Sequence, residues 1–457
     1  MRILAVSFVA ILTIVACTPK SSNEEVTPRK PVQLITLDPG HFHAALIQKT
    51  MYSDIDTNVY VYAPEGPDLK MHLDRIKSYN TRAEDPTRWN EVLFSGEHFL
   101  ERMIQEKKGN VVALSGNNRH KTEFILKSLE AGLNVYADKP MVIDAAGYEQ
   151  LKKAFEIAGK NKLLLYDIMT ERFEITTILQ RELSMTPEVF GELEKGTPEK
   201  PAITKESIHH FYKYVSGSVL TRPAWFLDPE QQGEGIVDVM THLVDLVQWE
   251  AFPDQTLDTK DVKITSARRW TTDIPLSKFK TITRLDGFPD YLKKSVVSDS
   301  ILKVSSNGEV NYQLRGVNAK TSVIWNYESK DGSGDTHYSI MRGTKANLVI
   351  RQGAEEQYKV TLYIEPVGRS GKLYQVPMRE AFKKLQAKYE GIELVENKNG
   401  WMVSIPDKYK EGHEAHFGRV TEKFIDYLTH GNIPAWEVPN MLTKYYTTTQ
   451  ALEASKK

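Results

Sequence analysis

Residues 110–140 read NVVALSGNNRHKTEFILKSLEAGLNVYADKP and decide the fold class. The run Asn110–Leu114 is apolar and has the length of a buried strand. The segment His120–Ala131 places apolar residues at helical spacing, and Gly132 supplies its C-cap. A second apolar strand, Asn134–Ala137, follows at once. Strand, helix and strand in this order predict a parallel β-sheet covered by helices on both faces.

The same pattern extends toward the N-terminus. Val32–Leu37 has the composition of another buried strand, and Asn58–Tyr62 alternates as the next. Between them, the turn 38–43 (DPGHFH) leads into a helix that is predicted to reach Met51. A dinucleotide-binding turn carries G-x-G-x-x-G here, because backbone amides must approach a pyrophosphate. Only Gly40 is present, so the turn by itself is more typical of an ordinary strand–helix unit.

Length and charge limit the class of protein. The chain has 457 residues, with 59 Lys and Arg against 60 Asp and Glu, for a formal net charge of −1. This length predicts two or three domains, and 40% hydrophobic residues exclude a disordered chain. The balanced charge gives no electrostatic reason to expect nucleic acid as a partner. No apolar run reaches the roughly 18 residues of a membrane-spanning helix.

The one cysteine indicates where the protein is located. An apolar run, Ile3–Val15, ends in Ile14-Val15-Ala16-Cys17, which resembles the lipobox of bacterial lipoproteins. We therefore predict a signal peptide at residues 1–16, then a lipidated Cys17 that begins a flexible tether over residues 17–31. The alternative is a plain secretory signal with an incidental cysteine. The prediction is a lipid-anchored protein of the bacterial cell envelope.

The second half of the chain predicts a different kind of sheet. From Val262 to about Val367, alternating runs such as Lys278–Thr283 and Thr321–Asn326 are separated by turn-forming residues. The segment 331–335 (DGSGD) is typical of a hairpin turn. Helices are predicted at residues 412–430 and 437–455. The predicted fold class is therefore α/β plus α+β, with a parallel sheet followed by a domain built on a large, mostly antiparallel sheet.

Four segments, in this order, resemble the Gfo/Idh/MocA oxidoreductase family. Residues 114–120 (LSGNNRH) are similar to its P-N-x-x-H turn, and residues 132–140 (GLNVYADKP) to its A-G-x-H-V-x-x-E-K-P segment, with Asp in place of Glu. Residues 233–245 (GEGIVDVMTHLVD) resemble its D-x-x-x-H-x-x-D helix, and residues 340–345 (IMRGTK) its late G-T-K/R turn. The resemblance covers residues 32–455 and departs from the family at the first turn, where two of three glycines are missing.

This resemblance implies a domain organisation and a cofactor. A Rossmann-like NAD(P)-binding domain is expected at residues 32–168, and a substrate and oligomerisation domain with C-terminal helices at residues 169–457. NAD or NADP is the expected cofactor, a small sugar the expected substrate, and a homo-oligomer the expected assembly. The residues expected to bind the cofactor are Gly40, His41, Phe42, His43, Glu65, Ser115, Asn117, His120, Asp138, Lys139 and Pro140.

Three residues are the predicted catalytic groups. By resemblance, Lys139 relays a proton beside the nicotinamide. The spacing of Asp238, His242 and Asp245 predicts that they lie on one face of a helix. There, neutral His242 would accept a hydroxyl proton, and Asp238 would orient either the sugar or the imidazole. Metal binding by this stripe and a purely structural role are the alternatives, and Asp245 suits a buried structural carboxylate. We predict no metal site.

Residues 208–225, at the start of the second domain, interleave aromatic side chains with hydrogen-bond donors. This composition suits a carbohydrate, whose C–H faces stack on rings while its hydroxyls bond to polar side chains, and it equally suits a half-buried strand. Lys213 and Arg222 would also recognise a carboxylate on an acidic sugar. The residues expected to bind substrate are Arg172, His210, Lys213, Arg222 and Trp225.

Two hypotheses follow. The first is an NAD(P)-dependent oxidoreductase that transfers hydride at a carbinol carbon of a sugar or sugar derivative. Because free NAD is scarce outside the cytoplasm, a tightly held cofactor recycled within one redox-neutral cycle, by transhydrogenation or glycoside cleavage, is a variant of it. The second is a cofactor-free glycan-binding lipoprotein on an oxidoreductase-like fold, which the altered glycine turn favours.

Overall fold

The computed structural model describes residues 31–215, 218–329, 334–368 and 372–457. The predicted signal peptide and Cys17 therefore lie outside the described residues. The first part of the chain contains β1 (Leu34–Leu37), α1 (His43–Leu46), β2 (Asn58–Ala63), α2 (Pro67–Thr81), β3 (Asn90–Ser95), α3 (Phe99–Glu106), β4 (Val111–Leu114), α4 (Lys121–Glu130), β5 (Asn134–Asp138), α5 (Ala145–Asn161) and β6 (Leu165–Ile168).

These strands form one six-stranded sheet in the order β3-β2-β1-β4-β5-β6. Each described pairing is parallel, and β1 and β4 run level so that Leu37 pairs with Leu114. Both strands are buried along their whole length, as expected for a parallel sheet with helices on its two faces. The strand order reverses between β1 and β4, and ligands of such sheets bind at the carboxyl ends of the strands there.

The second part of the chain supplies the larger sheet. It contains α6 (Ile175–Ser184), β7 (Ile203–His210), β8 (Tyr214–Val215), β9 (Ser218–Val219), α7 (Met240–Ala251), β10 (Val262–Pro275), α8 (Leu276–Thr283), β11 (Val296–Val297), β12 (Ile301–Leu314), β13 (Val317–Asn326), β14 (Thr336–Arg342), β15 (Ala346–Arg351), β16 (Thr361–Pro366), α9 (Lys372–Lys388), β17 (Glu393–Asn397), β18 (Gly400–Ser404), α10 (His413–His430) and α11 (Glu437–Ser455).

The second sheet has ten strands, nine of them in the order β10-β12-β13-β7-β14-β15-β16-β18-β17, with β11 paired to β12. Its pairings are antiparallel except for β13 with β7. Helices α6 and α7 pack their apolar faces into the core of this sheet through residues such as Leu179 and Val244. The predicted fold class, a parallel sheet followed by a mostly antiparallel one, is confirmed.

The C-terminal helices return to the first sheet. Phe417 and Phe424 of α10 and Tyr445 of α11 belong to the buried core that contains β1, β4 and β5. The Phe424 ring stacks on Tyr136 of β5 at 4.4 Å between ring centroids, and the Tyr445 hydroxyl donates to Asp167 at 2.8 Å. Val32–Lys457 therefore form one compact unit.

The bounds of individual helices show where short-range sequence patterns succeed and where they fail. Asp144 caps α5, because its carboxylate accepts from the Gly147 amide at 2.6 Å, and α11 has the predicted bounds. The prediction of a strand at Lys278–Thr283 was wrong: this segment lies in α8, where Phe279 and Ile282 are buried three residues apart. Helix α1 stops at Leu46 instead of Met51. Residues 331–333 of the predicted hairpin turn lie outside the described residues. Among the described residues, no helix combines the length and apolarity needed to cross a bilayer.

Candidate active site

A cavity of about 540 Å³ lies where the carboxyl ends of β1 and β5 face the second sheet. Its lining includes His43 and Lys139 from the first sheet, Asp238 and His242 at the start of α7, and Trp325 of β13. A volume of this order is typical of a small-molecule site. The predicted catalytic residues therefore meet in one cavity at the switch point of the parallel sheet.

Lys139 and Asp238 form the ion pair at the centre of this cavity. The Lys139 ammonium donates to Asp238 Oδ1 at 2.7 Å, and the side chains are only 12% and 6% exposed. Lys139 directly follows β5, and its peptide bond to Pro140 is cis. Helix α7 begins at Met240, so Asp238 lies on the turn before it and not on the helical face that the spacing predicted.

His242 lies on the first turn of α7 and lines the cavity. Burial, followed by the positive charge of Lys139, holds the pKa of this imidazole well below its ordinary value. Its Nδ1 is buried and makes no hydrogen bond to the described residues. A neutral imidazole with an unused nitrogen beside an ammonium group can accept a proton from a bound hydroxyl.

Asp245 has a structural environment, unlike Asp238. Arg172 donates to both of its carboxylate oxygens at 2.6 Å, and Lys444 donates to Oδ1 at 2.9 Å. Arg172 also pairs with Glu437 at 3.0 Å, and none of these groups lines the cavity. Although burial alone would raise it, the charges of Arg172 and Lys444 hold the pKa of Asp245 well below its usual range. Arg172, predicted at the substrate, thus belongs to a buried ion network.

The other predicted substrate residues divide into two groups. Lys213 and Arg222 line the cavity, whereas His210 lies behind it and donates its backbone amide to Asp335 at 3.0 Å. Lys213 pairs with the same carboxylate at 2.6 Å. Arg222 donates to the carbonyls of Phe211 and His210 and lies over the Phe226 and Trp325 rings, and burial lowers its pKa to about 10.

Trp225 does not line the cavity. Its indole donates to Asp68 Oδ2 at 2.8 Å, and both side chains pack against Gly40. A Cβ at Gly40 would lie 3.0 Å from Asp68 Oδ2 and 3.3 Å from the Trp225 ring. This pair therefore fills the space beside the turn at which a glycine-rich sequence would receive a phosphate.

The turn after β1 also differs in its backbone. The amides of Gly40 and His41 both donate to the Ser115 carbonyl at 3.2 Å, Pro39 has no amide hydrogen, and Asp38 has a φ of 48°. Burial and then the Asp68 charge raise the pKa of Asp38 to about 6. As arranged here, the turn does not fit a pyrophosphate, because its amides are occupied and a carboxylate adjoins it.

Three further residues predicted at the cofactor lie outside the cavity. Glu65 accepts a hydrogen bond from the exposed Ser95 hydroxyl, and Asn117 donates to Gln231 at 2.7 Å. His120 is exposed at the start of α4. Gly40 and Pro140 do not line the cavity either. Four residues of the predicted group do line it, with Asp138 and Ser115 beneath them: His41, Phe42, His43 and Lys139.

Asp138 is held beneath the cavity by several donors. His43 Nδ1 lies 2.9 Å and the Ser115 hydroxyl 2.8 Å from its Oδ2. His41 Nδ1 lies 3.7 Å from the same oxygen. Burial lowers the pKa of both imidazoles, and the neighbouring His43 and Lys121 hold that of Asp138 well below its usual value despite burial.

Among the cavity residues that the sequence did not indicate, His413 and Glu171 are linked by contacts to the histidines of the first turn. His413, the first residue of α10, places its Nε2 3.3 Å from His43 Nε2. Glu171 lies 3.8 Å from His413 Nδ1, and burial followed by the Glu174 charge raises its pKa to about 7. Glu171 directly precedes the Arg172 that was singled out, but nothing near residue 413 pointed to the first sheet.

The family comparison covers most of the second part of the chain. Residues 179–456 match the family described as "Putative oxidoreductase C terminal domain". The chain also resembles the crystal structure of "a putative oxidoreductase from Parabacteroides merdae ATCC 43184", with 56% identity over 93% of this chain and 98% of that one and a TM-score of 0.92. No protein of curated function matches the chain.

More distant structures share the fold. A protein described as "a putative myo-inositol dehydrogenase from Sinorhizobium meliloti 1021" has 13% identity over 93% of this chain and 97% of that one, with a TM-score of 0.54. KijD10, a 3-ketoreductase from Actinomadura kijaniata crystallised with NADP and TDP-benzene, has 14% identity over 91% and 95%, with the same TM-score. The fold is that of the Gfo/Idh/MocA type, and the chain belongs to the oxidoreductase family whose C-terminal domain it contains and is an enzyme of that class.

Proposed function

We propose that this protein oxidises a hydroxyl-bearing carbon of a sugar or sugar derivative in the cavity described above, with NAD or NADP as the hydride acceptor. The observation that carries the proposal is the buried Lys139–Asp238 pair at 2.7 Å, with the neutral His242 imidazole on the same cavity. Two side chains that can hold a hydroxyl and one that can take its proton are the minimum that carbinol oxidation needs.

Each residue has a defined task in this proposal. The Lys139 ammonium donates a hydrogen bond to the substrate oxygen and Asp238 orients that ammonium. The hydroxyl proton passes to His242, whose pKa burial holds low, so that it is neutral before the reaction. A nicotinamide ring supplies the hydride acceptor for this chemistry when it is bound.

The cofactor assignment rests on the fold and on the distant relatives. KijD10 was crystallised with NADP, and in this chain Lys139 and Pro140 follow β5 at the carboxyl edge of a parallel sheet whose strand order reverses between β1 and β4, which supports a nicotinamide cofactor there. The turn 38–41 is evidence against a dinucleotide cofactor, because the turn as arranged does not fit a pyrophosphate. Binding of either NAD or NADP at this turn would therefore require the Asp68–Trp225 pair to move away from Gly40.

The sugar assignment rests on the cavity wall formed by the second sheet. The rings of Phe226 and Trp325 lie on this wall together with the charged groups of Lys213 and Arg222. Flat rings suit the C–H face of a pyranose, and the cations suit its hydroxyls or a carboxylate. For an exported enzyme, we propose a redox-neutral cycle in which the held cofactor is reduced and reoxidised in each turnover.

A second candidate function is favoured by one specific observation. The Gly40 and His41 amides already bond to Ser115, as expected of a turn that receives no phosphate. A cofactor-free glycan-binding protein would use the same aromatic and cationic wall without hydride transfer. Restoring glycine by Asp38→Gly should leave its glycan affinity unchanged, whereas a dinucleotide enzyme should bind its cofactor more tightly.

The location is proposed from the sequence alone. We propose a signal peptide at residues 1–16 and lipidation at Cys17, with residues 17–31 as the tether to the bacterial envelope. Metabolic labelling with a fatty acid tests it, because Cys17→Ala should lose both label and membrane association. A homo-oligomer is likewise proposed, and light scattering of the mature chain measures it.

The first experiment is native mass spectrometry of the mature protein, with an acid extract assayed for nicotinamide. A stoichiometric dinucleotide supports the oxidoreductase, and an empty protein that also ignores added NAD and NADP contradicts it. The redox-neutral variant fails if the protein reduces added NAD stoichiometrically and releases NADH. Sugars are then screened with Lys139→Met beside Lys160→Met, an exposed lysine of α5, as the matched control.

A further inference from the structure

Three side chains, of which His43 and Asp138 are buried and His41 is partly exposed, meet at the floor of the cavity and have no task in the proton transfer proposed above. His41 and His43 come from the turn and helix that follow β1, and Asp138 ends β5. One imidazole nitrogen of each histidine and one carboxylate oxygen all lie within 4.8 Å of one another. We propose that His41, His43 and Asp138 bind a single divalent transition-metal ion of the zinc class.

The three ligand atoms converge from two elements. His43 Nδ1 lies 2.9 Å and His41 Nδ1 3.7 Å from Asp138 Oδ2, so small side-chain rotations admit an ion at the usual bond lengths of about 2.0–2.2 Å. The side chains of His43 and Asp138 are 9% and 5% exposed, and that of His41 is 17% exposed. The ion would therefore be anchored by protein on one side and accessible from the cavity on the other.

Neighbouring groups hold these ligands in place. The Ser115 hydroxyl donates to Asp138 Oδ2 at 2.8 Å, and the His41 ring contacts the edge of the His43 ring at 4.1 Å between centroids. His413 Nε2 lies 3.3 Å from His43 Nε2, the nitrogen on the far side of that ring. Metal-bound histidines usually have such a partner on their second nitrogen, because it fixes the tautomer and the ring orientation.

Two lysines next to the cluster influence which ion it takes. Lys121 donates to the backbone carbonyl of Asp138 at 3.1 Å, and Lys139 is paired with Asp238, so neither ammonium occupies the Asp138 carboxylate. Their charges oppose a cation nonetheless. Two imidazoles and one carboxylate beside positive charge favour an ion that bonds strongly to nitrogen, such as Zn²⁺, over Mg²⁺ or Ca²⁺, which need oxygen ligands.

The site would give the cavity a Lewis acid of its own. His41, His43 and Lys139 line the same cavity, so the ion would share that cavity with a substrate hydroxyl bound near Lys139. A bound Zn²⁺ lowers the pKa of a hydroxyl or water that it coordinates. The inference stands on the three ligands and does not depend on the nicotinamide.

Metal content and affinity test the inference directly. The full mature chain is dialysed against a chelator, then titrated with ZnCl₂ by calorimetry, and the Zn²⁺ retained after gel filtration is counted by elemental analysis. One Zn²⁺ per chain is expected in the wild type. His41→Gln and His43→Gln should each weaken binding at least about 100-fold, and His413→Gln about 10-fold through loss of orientation.

His98→Gln is the matched control, because His98 is an exposed histidine at the start of α3. It should bind Zn²⁺ like the wild type. Thermal unfolding of each variant without metal shows whether it is folded, and two separate histidine variants keep the test valid if one fails to fold. Co²⁺ loading adds a signature, since its visible absorption reports nitrogen ligands at low coordination number and should disappear in His43→Gln.

Two results would overturn the inference: no stoichiometric Zn²⁺ uptake, or uptake that His41→Gln and His43→Gln leave unchanged. These measurements use neither substrate nor dinucleotide. A protein with zinc and no nicotinamide therefore keeps the metal site and contradicts the proposed hydride chemistry. A protein with nicotinamide and no zinc does the reverse.

Discussion

Helix α7 and the turn before it contribute one carboxylate to each of two buried ion pairs. Asp238 meets Lys139 at 2.7 Å on the wall of the cavity, whereas Asp245 is enclosed by Arg172 and Lys444 away from it. Their exposures are nearly equal, at 5% and 1%, and both partners are cations. Burial and charge therefore do not separate the carboxylate proposed for catalysis from the structural one. Access to the cavity does.

The largest effect expected on either pair is on catalysis. Replacing Lys139 by Met removes the donor to the substrate oxygen and should lower kcat/KM about 10²- to 10⁴-fold, the usual range for such a group. Steady-state kinetics with a turned-over sugar measures it, with Lys160→Met expected at wild-type rate. Activity within tenfold of wild type would contradict the role given to Lys139.

Breaking the buried ion network around Asp245 should lower the stability of the folded protein. Arg172→Leu leaves Asp245 and Glu437 buried with fewer cations, and loss of one partner of a buried pair costs about 3–5 kcal/mol. Urea denaturation measures the free energy of unfolding. Lys139→Met should cost clearly less, because the cavity allows water to reach Asp238. Equal losses in the two variants would remove the distinction between the pairs.

Asp38 offers a pH-dependent comparison with both pairs, since burial and the Asp68 charge raise its pKa more than the charges of His120 and Lys121 lower it. Its pKa is raised from 3.8 to about 6 in the folded chain, so ionisation is costlier there than in the unfolded chain. The contribution of this group to stability is thus fully present below about pH 4 and lost as pH rises through 6.

Asp38→Asn should therefore stabilise the protein at pH 8 by up to about 3 kcal/mol and leave it unchanged near pH 4. Asparagine also tolerates the φ of 48° at this position. Denaturation midpoints at the two pH values measure the difference. A pH-independent effect would contradict the raised pKa.

The smallest effect is expected at an exposed pair. Lys70 and Asp74 lie one turn apart on α2, 2.6 Å from each other, with side chains 76% and 61% exposed. Lys70→Ala should change the free energy of unfolding by no more than about 0.5 kcal/mol. The same urea titration measures it, and a loss above 1 kcal/mol would show that solvent exposure does not weaken ion pairs in this chain.

Structural features that depend on residues close together in the chain could be predicted from the sequence. Strands β1, β2, β4 and β5 and the Asp144 cap follow from short-range patterns, whereas β3 and β6 were not predicted. The family resemblance grouped Lys139, Asp238 and His242 as catalytic residues, and the three meet in one cavity. Alternation misled at α8, since the sequence KFKTIT satisfies a strand period and a helical one alike.

Long-range partners set the limit of the prediction. Arg172 was assigned to the substrate, but it belongs to a buried ion network. That network was not predictable, because Glu437 and Lys444 are more than 260 residues away along the chain. Trp225 was assigned likewise, although Asp68 holds it. The approach of His413 to His43 had no signal, because neither the spacing nor the composition of α10 indicates which sheet it packs against.

The return of α10 and α11 to the first sheet affects the order of synthesis. The ribosome completes every strand of that sheet about 250 residues before it adds Phe417, Phe424 and Tyr445, which fill the core beside Tyr136. Until then the nascent sheet has an unfilled apolar face, and its folding awaits the end of translation. We therefore expect this sheet to complete its core only after the last two helices have been synthesised.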